Sequence, residues 1–157
     1  MTPTVMNLSD QSATEALGRR LGAALFPGAV VALVGPLGAG KTCLVRAIAE
    51  GLGIGTPDVV SSPTFVLIHE YQARLPIYHF DAYRLTSAGE FADLGVDEYF
   101  AGQGVCLVEW ADKVRDLLPA EHLEVRLTIT GPETRHIAMK AHGPRYDTLL
   151  AGVTSNE

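Results

Sequence analysis

Hydrophobic and polar positions follow two different periods along this chain, and the switches between them mark out its elements. Residues 4–8 suit a short strand, and Leu17, Leu21 and Leu25 then recur at helical spacing within 9–25. Ser12 and Glu15 stand at capping-box separation, and Pro27-Gly28 stops the helix. Residues 29–34 are apolar without a break, the pattern of a strand covered on both faces in a parallel sheet. A glycine-rich turn comes next. Leu44, Val45, Ile48 and Leu52 restore the helical period over 41–52, which Gly53 and Gly55 end.

Residues 53–64 carry Gly, Pro, Asp and Ser and predict a mobile loop. The runs 65–71 and 77–83 read as strands joined by a turn over 73–76, close enough in sequence to pair as an antiparallel hairpin. Short helices are predicted over 87–94 and 97–100. Val105-Cys106-Leu107-Val108 is a second unbroken apolar run, ending at Glu109-Trp110, with a brief helix near 113–118. Residues 123–129 and 136–141 alternate like a hairpin around Gly131-Pro132. The tail after Tyr146 predicts a short fraying helix, with disorder over about 1–3 and 152–157.

Composition narrows the class. A chain of 157 residues with 47% apolar content fits one well-cored domain over 1–157 and needs no disulfide staples. Its apolar runs fall far below the roughly 18 residues of a membrane span, and 1–10 lack the layout of a secretory leader, so a cytoplasmic protein is expected. Twelve basic against eighteen acidic residues give a formal charge of -6, which disfavours extensive direct contact with nucleic acid. Cys43 and Cys106 show no metal-type spacing and read as small buried hydrophobes, although Cys43 falls at a helix N-terminus, where a thiol pKa is lowered. His69, His122, His136 and His142 show no metal-type spacing either and read as ordinary histidines.

The chemistry concentrates after the first apolar strand. Gly35-Pro36-Leu37-Gly38-Ala39-Gly40-Lys41-Thr42 matches G-x-x-x-x-G-K-[ST] in full, with Cys43 directly behind it. Glycines let the backbone wrap phosphate oxygens so that successive N–H groups and the positive end of the next helix face the anion. Lys41 would reach the β and γ phosphates of ATP or ADP, and the Thr42 hydroxyl would ligate Mg²⁺. The expected fold is therefore α/β: a three-layer, P-loop NTPase-like arrangement of a mixed, mostly parallel central sheet with antiparallel hairpins.

Such a loop needs an acid for the metal at the end of a neighbouring buried strand. Glu109 ends the uninterrupted apolar strand and takes the metal role. Asp81 ends the less apolar Ile77-Tyr78-His79-Phe80 and takes a catalytic role, orienting either the metal's water shell or the attacking water, although the two roles can be exchanged. Trp110 is either a core residue or a contact to nucleotide or partner. Thr64 holds the chain position of a γ-phosphate-sensing switch. Arg84 serves either a surface ion pair or transition-state charge.

Together with that loop, Ser62-Pro63-Thr64-Phe65, His79-Phe80-Asp81-Ala82-Tyr83-Arg84-Leu85 and Val108-Glu109-Trp110-Ala111-Asp112-Lys113 occur in the order that resembles the TsaE family, also called YjeE. The resemblance covers nearly the whole chain. It implies an ATPase, weak alone, that works with TsaB and TsaD in threonylcarbamoyl-adenosine formation at tRNA position 37, touching tRNA only through that complex. It also implies phosphate and magnesium roles for Lys41 and Thr42, a magnesium role for Glu109 and a catalytic role for Asp81. A small-molecule kinase and a non-hydrolysing ATP switch are the alternatives. No arginine-rich lid favours the kinase, and no Asn-Lys-x-Asp segment favours guanine.

Overall fold

A computed structural model describes residues 3–36, 39–55, 68–82, 89, 92–93 and 95–154. The strands are β1 (Thr4–Leu8), β2 (Val30–Val34), β3 (Ile68–Tyr71), β4 (Ile77–Asp81), β5 (Val105–Glu109), β6 (His122–Ile129) and β7 (Arg135–His142). The helices are α1 (Gln11–Ala24), α2 (Lys41–Gly51), α3 (Val96–Ala101) and α4 (Pro144–Thr154), and a 3₁₀ helix covers Ala111–Leu117. The strands form one sheet in the order β1-β7-β6-β2-β5-β4-β3. Its centre, β6-β2-β5-β4, is parallel, while β1 and β7 at one edge and β3 at the other add antiparallel pairs.

Alternation along β2 divides the interior in two. Val31 and Leu33 join Leu17, Leu21, Leu44 and Ile48 in a core with α1, α2 and α4. Val30, Ala32 and Val34 face the other way, against Phe80, Val96, Val108 and Val114, beneath α3 and the 3₁₀ helix. All five residues of β2 and all five of β5 are buried, as the two unbroken apolar runs require. This is the three-layer α/β fold expected from the sequence.

Three local expectations are corrected. The cap of α1 is not the Ser12–Glu15 box. Asp10 accepts the Ala13 N–H at 2.9 Å, and Glu15 instead accepts the Gln11 side-chain amide at 3.1 Å. The C-terminal helix starts earlier than expected and runs over Pro144–Thr154, and 155–157 lie outside the described residues. Tyr146, Leu149, Leu150 and Val153 recur at i, i+3, i+4 and i+7, are buried, and place α4 on the sheet, with 152–154 inside the helix. The Tyr146 hydroxyl also accepts the buried Val30 N–H at 2.9 Å, tying α4 to the start of β2. The helix expected near 113–118 is a 3₁₀ helix that begins two residues earlier.

Helices α1 and α2 meet backbone to backbone. A Cβ on Gly22 would lie 2.1 Å from the Ile48 carbonyl oxygen, so only glycine fits there. Arg74 closes the end of α1 by donating to the carbonyls of Gly22 and Leu25 at 3.0 and 3.3 Å. The segments 56–67 and 83–88, with Ser62-Pro63-Thr64-Phe65 and Tyr83-Arg84-Leu85, lie outside the described residues, as do Leu37, Gly38 and most of the helix expected over 87–94.

Candidate functional site

The phosphate loop leaves the sheet between β2 and α2. A Cβ on Gly35 would stand 2.7 Å from the Leu127 carbonyl oxygen of β6, so the chain can turn there only as glycine. Pro36 accepts the Ala39 N–H at 3.2 Å, and Gly40 caps α2 at φ 100°, ψ 21°, a left-handed backbone that glycine adopts without strain. Helix α2 starts at the next residue, so the positive end of its dipole faces the loop. Arg135 braces the loop from the β6–β7 turn. Its Nε donates to the Ala39 carbonyl at 3.0 Å while its terminal nitrogen holds the Gly131 and Thr134 carbonyls at 3.0 and 2.8 Å. A cavity of about 170 Å³ opens beside the loop, lined by Gln11, Thr14, Gly40, Cys43, Glu133 and Arg135.

Both candidate acids come to the same edge. Parallel pairing of β4 and β5 sets Asp81 directly opposite Glu109, so their side chains share one face. The expectation that Asp81 sits on a less buried strand is corrected. Asp81 is 4% exposed and Glu109 3%, because β4 is itself one of the four parallel strands. Burial therefore does not rank the two carboxylates; their partners differ. The His79 Nε2–H donates to the Glu109 carboxylate, and His79 is fully buried. His79, Asp81 and Glu109 alternate onto the α2 face together, and this parity is the sequence signal that would have added His79 to the site.

Lys41 completes the group. Its ammonium donates to the Gly35 carbonyl and lies 3.5 Å above the centroid of the Trp110 ring. Burial pulls its pKa below the ordinary lysine value, while Glu109, Asp81 and Asp112 push in the opposite direction. Trp110 is the single non-glycine residue with positive φ among the described residues, at φ 59°, ψ 38°. That left-handed turn swings its ring from the end of β5 under Lys41, and the ring also packs against the second core. The core reading of Trp110 thus holds in part.

Thr42 follows Lys41 on the first turn of α2 and is half-buried. Cys43 departs from expectation: burial, assisted by Glu15, raises its thiol pKa above the ordinary value. Cys106 is buried and pushed up to about 12 by desolvation. Two of the histidines that show no metal-type spacing meet in space. Across the β6–β7 pairing, His122, Glu124 and His142 bring one ligand atom each within 4.8 Å of one another, although their linear spacing shows nothing. Burial, followed by His122, holds the His142 pKa below that of an ordinary imidazole.

No described helix is long and apolar enough to cross a membrane. The family model for the threonylcarbamoyl adenosine biosynthesis protein TsaE matches residues 8–137. A TsaE of Bacillus subtilis is 47% identical over 145 residues, covering 92% of this chain and 89% of its own. A TsaE of Treponema pallidum is 42% identical over 122 residues, covering 78% and 89%. The crystal structure of YdiB from Bacillus subtilis superposes with a TM-score of 0.82 at 37% identity, covering 99% of this chain and 97% of that one. A fold, a matched span and a level of identity that agree over most of the length leave one assignment: the chain belongs to the TsaE family of tRNA threonylcarbamoyladenosine biosynthesis proteins.

Proposed function

We propose that this chain binds and hydrolyses ATP with Mg²⁺ as an accessory protein of threonylcarbamoyladenosine formation at tRNA position 37, in the cytoplasm, together with TsaB and TsaD. One observation carries the ATPase reading. A buried lysine, anchored at the mouth of the loop, faces two buried carboxylates that end adjacent parallel strands. Two carboxylates against one ammonium leave room for a further positive charge, and the Thr42 hydroxyl and Glu109 carboxylate are the hard oxygen donors that Mg²⁺ takes. When bound, the ion would neutralise phosphate charge.

The chain's own groups supply the rest. The loop N–H groups and the α2 dipole hold the phosphates, and the Lys41 ammonium follows the charge that develops on the γ-phosphoryl oxygens. Asp81, directly opposite Glu109 in the register, accepts a hydrogen bond from the attacking water and orients it in line. His79 fixes the Glu109 carboxylate in one orientation. The net charge of -6 fits a protein that meets tRNA through TsaB and TsaD rather than directly.

Phosphate release from ATP and Mg²⁺, measured without any acceptor and then with TsaB and TsaD, tests the proposal. Slow release alone and faster release with the partners is expected. Release only when a small-molecule acceptor is added would establish a kinase instead.

A further inference from the structure

We propose that His122, Glu124 and His142 form a binding site for a zinc-type divalent ion, separate from the nucleotide site and on the other face of the sheet. The antiparallel register places His122 directly opposite His142, with Glu124 two residues further along β6. Leu123, Val125 and Ala141 between them point into the core under α1 and α2, so the three polar side chains must project together from the opposite face.

The nitrogens are prepared for a ligand role. His122 Nδ1–H donates to the Pro119 carbonyl at 2.9 Å, which fixes the tautomer and leaves the Nε2 lone pair bare. The His142 Nε2 is buried and has no hydrogen-bond partner among the described residues. The two imidazoles stack with centroids 4.5 Å apart and planes 21° from parallel, which sets their edges side by side. An ion would give both nitrogens the partner that the protein does not.

The space and the donor set agree. A cavity of about 140 Å³ adjoins the cluster, lined also by Ala32, Val34 and Leu118. A tetrahedral ion with bonds of about 2.1 Å holds its ligand atoms about 3.4 Å apart, so atoms within 4.8 Å of one another need approach by no more than about 1.4 Å. Two imidazoles and one carboxylate suit zinc and its transition-metal neighbours, with a fourth position for water, whereas magnesium and calcium take oxygen donors. Arg115 approaches Glu124 at 3.7 Å but is 58% exposed, so this loose pair yields readily to a coordinated ion. Glu124 lies opposite Ala32, three residues short of Gly35, about 10 Å of strand away from the phosphate loop.

The test is a calorimetric titration of zinc chloride into tag-free, chelator-stripped protein, with no nucleotide present. One ion per chain is expected, with micromolar or tighter affinity, undiminished by a large excess of Mg²⁺. His142→Ala should weaken binding by at least about 100-fold and Glu124→Gln by at least about 10-fold, since loss of even an outer-shell partner costs about 10- to 100-fold, while Asp81→Ala leaves it unchanged. Cobalt in place of zinc should give the intense visible bands of a tetrahedral ion in the parent and lose them in His122→Gln. Absence of saturable zinc binding would overturn the proposal, as would binding that survives His142→Ala and Glu124→Gln or that disappears in Asp81→Ala. Circular dichroism checks each variant's fold, and the near-isosteric Glu124→Gln decides the matter if His142→Ala does not fold.

Discussion

Two clusters of histidine and carboxylate lie on opposite faces of one sheet, and they are completed differently. On the α2 face, His79 is taken up by Glu109, Asp81 stands beside them, and Lys41 brings a positive charge into the same buried space. On the other face, His122 and His142 stack with Glu124 close by, and the exposed, loosely held Arg115 approaches Glu124; each cluster leaves one buried ring nitrogen without a partner among the described residues, His79 Nδ1 in the first and His142 Nε2 in the second. In the function proposed above, the first group suits an anion with a metal beside it, because Lys41 and the two carboxylates meet where the chain leaves β2 for α2. The second contains no buried cation among the described residues, which suits a metal without an anion. Residue types alone do not separate the two; the position of lysine does.

The largest expected effect breaks the first cluster at that lysine. If Lys41 meets the β and γ phosphates as proposed, Lys41→Ala removes that charge, and ATP affinity measured by calorimetry should fall at least about 100-fold, roughly 2.7 kcal/mol. The melting temperature should hardly drop, since the substitution also removes a buried, partly desolvated ammonium. Unchanged ATP affinity would contradict the role given to the loop.

Next comes the division of labour between the acids. Asp81→Ala should slow turnover by about 100-fold, as loss of a water-orienting base does, while ATP affinity changes by less than about threefold. Glu109→Ala should instead raise the Mg²⁺ concentration needed for half-maximal activity. Equal losses of turnover and affinity in Asp81→Ala would reverse the two assignments, which remain symmetric in burial and register.

A smaller effect sharpens the contrast between histidines. His79→Ala leaves the buried Glu109 carboxylate without its donor, at a cost of about 2 kcal/mol, and a chain of this size should melt about 4–8 °C lower. Both rings carry one buried nitrogen without a partner, but His142→Ala takes no donor from a buried carboxylate, so metal-free protein should lose less. Thermal scans of the two variants side by side, both metal-free, read the difference directly. A larger loss for His142→Ala would mean that it, and not His79, is the structural histidine.

The sequence made some of this legible and concealed the rest for physical reasons. The unbroken apolar runs of β2 and β5 reveal strands buried on both faces, and the loop between β2 and α2 is written in consecutive residues. Interactions that close across strands are not local. His79 meets Glu109 thirty residues away, and His122 meets His142 across a hairpin, so linear spacing hides both. The Ser12–Glu15 pair matches a capping box in linear spacing, yet Asp10 two residues earlier is an equally good capping residue and takes the position. For α4 the spacing of Tyr146, Leu149, Leu150 and Val153 was already helical and apolar on one side. Its position at the end of the chain argued for fraying, and packing on the sheet holds the helix as far as Thr154.

The smallest effect concerns Trp110, which touches both sides of the comparison through its ring and its backbone. An aromatic face under Lys41 stabilises the ammonium through the ring quadrupole, an effect of about 0.5–2 kcal/mol that is strongest for tryptophan. Trp110→Phe keeps a face but weakens it, so ATP affinity should fall only about two- to threefold. The left-handed backbone at 110 is a separate quantity, because it costs any residue with a Cβ about 1 kcal/mol. Trp110→Gly relieves that strain while deleting the ring. If the ring serves the nucleotide site, Trp110→Gly should weaken ATP binding more than Trp110→Phe even where its backbone is more relaxed. If the residue matters only as packing for the second core, the two variants should differ in melting temperature and not in ATP affinity.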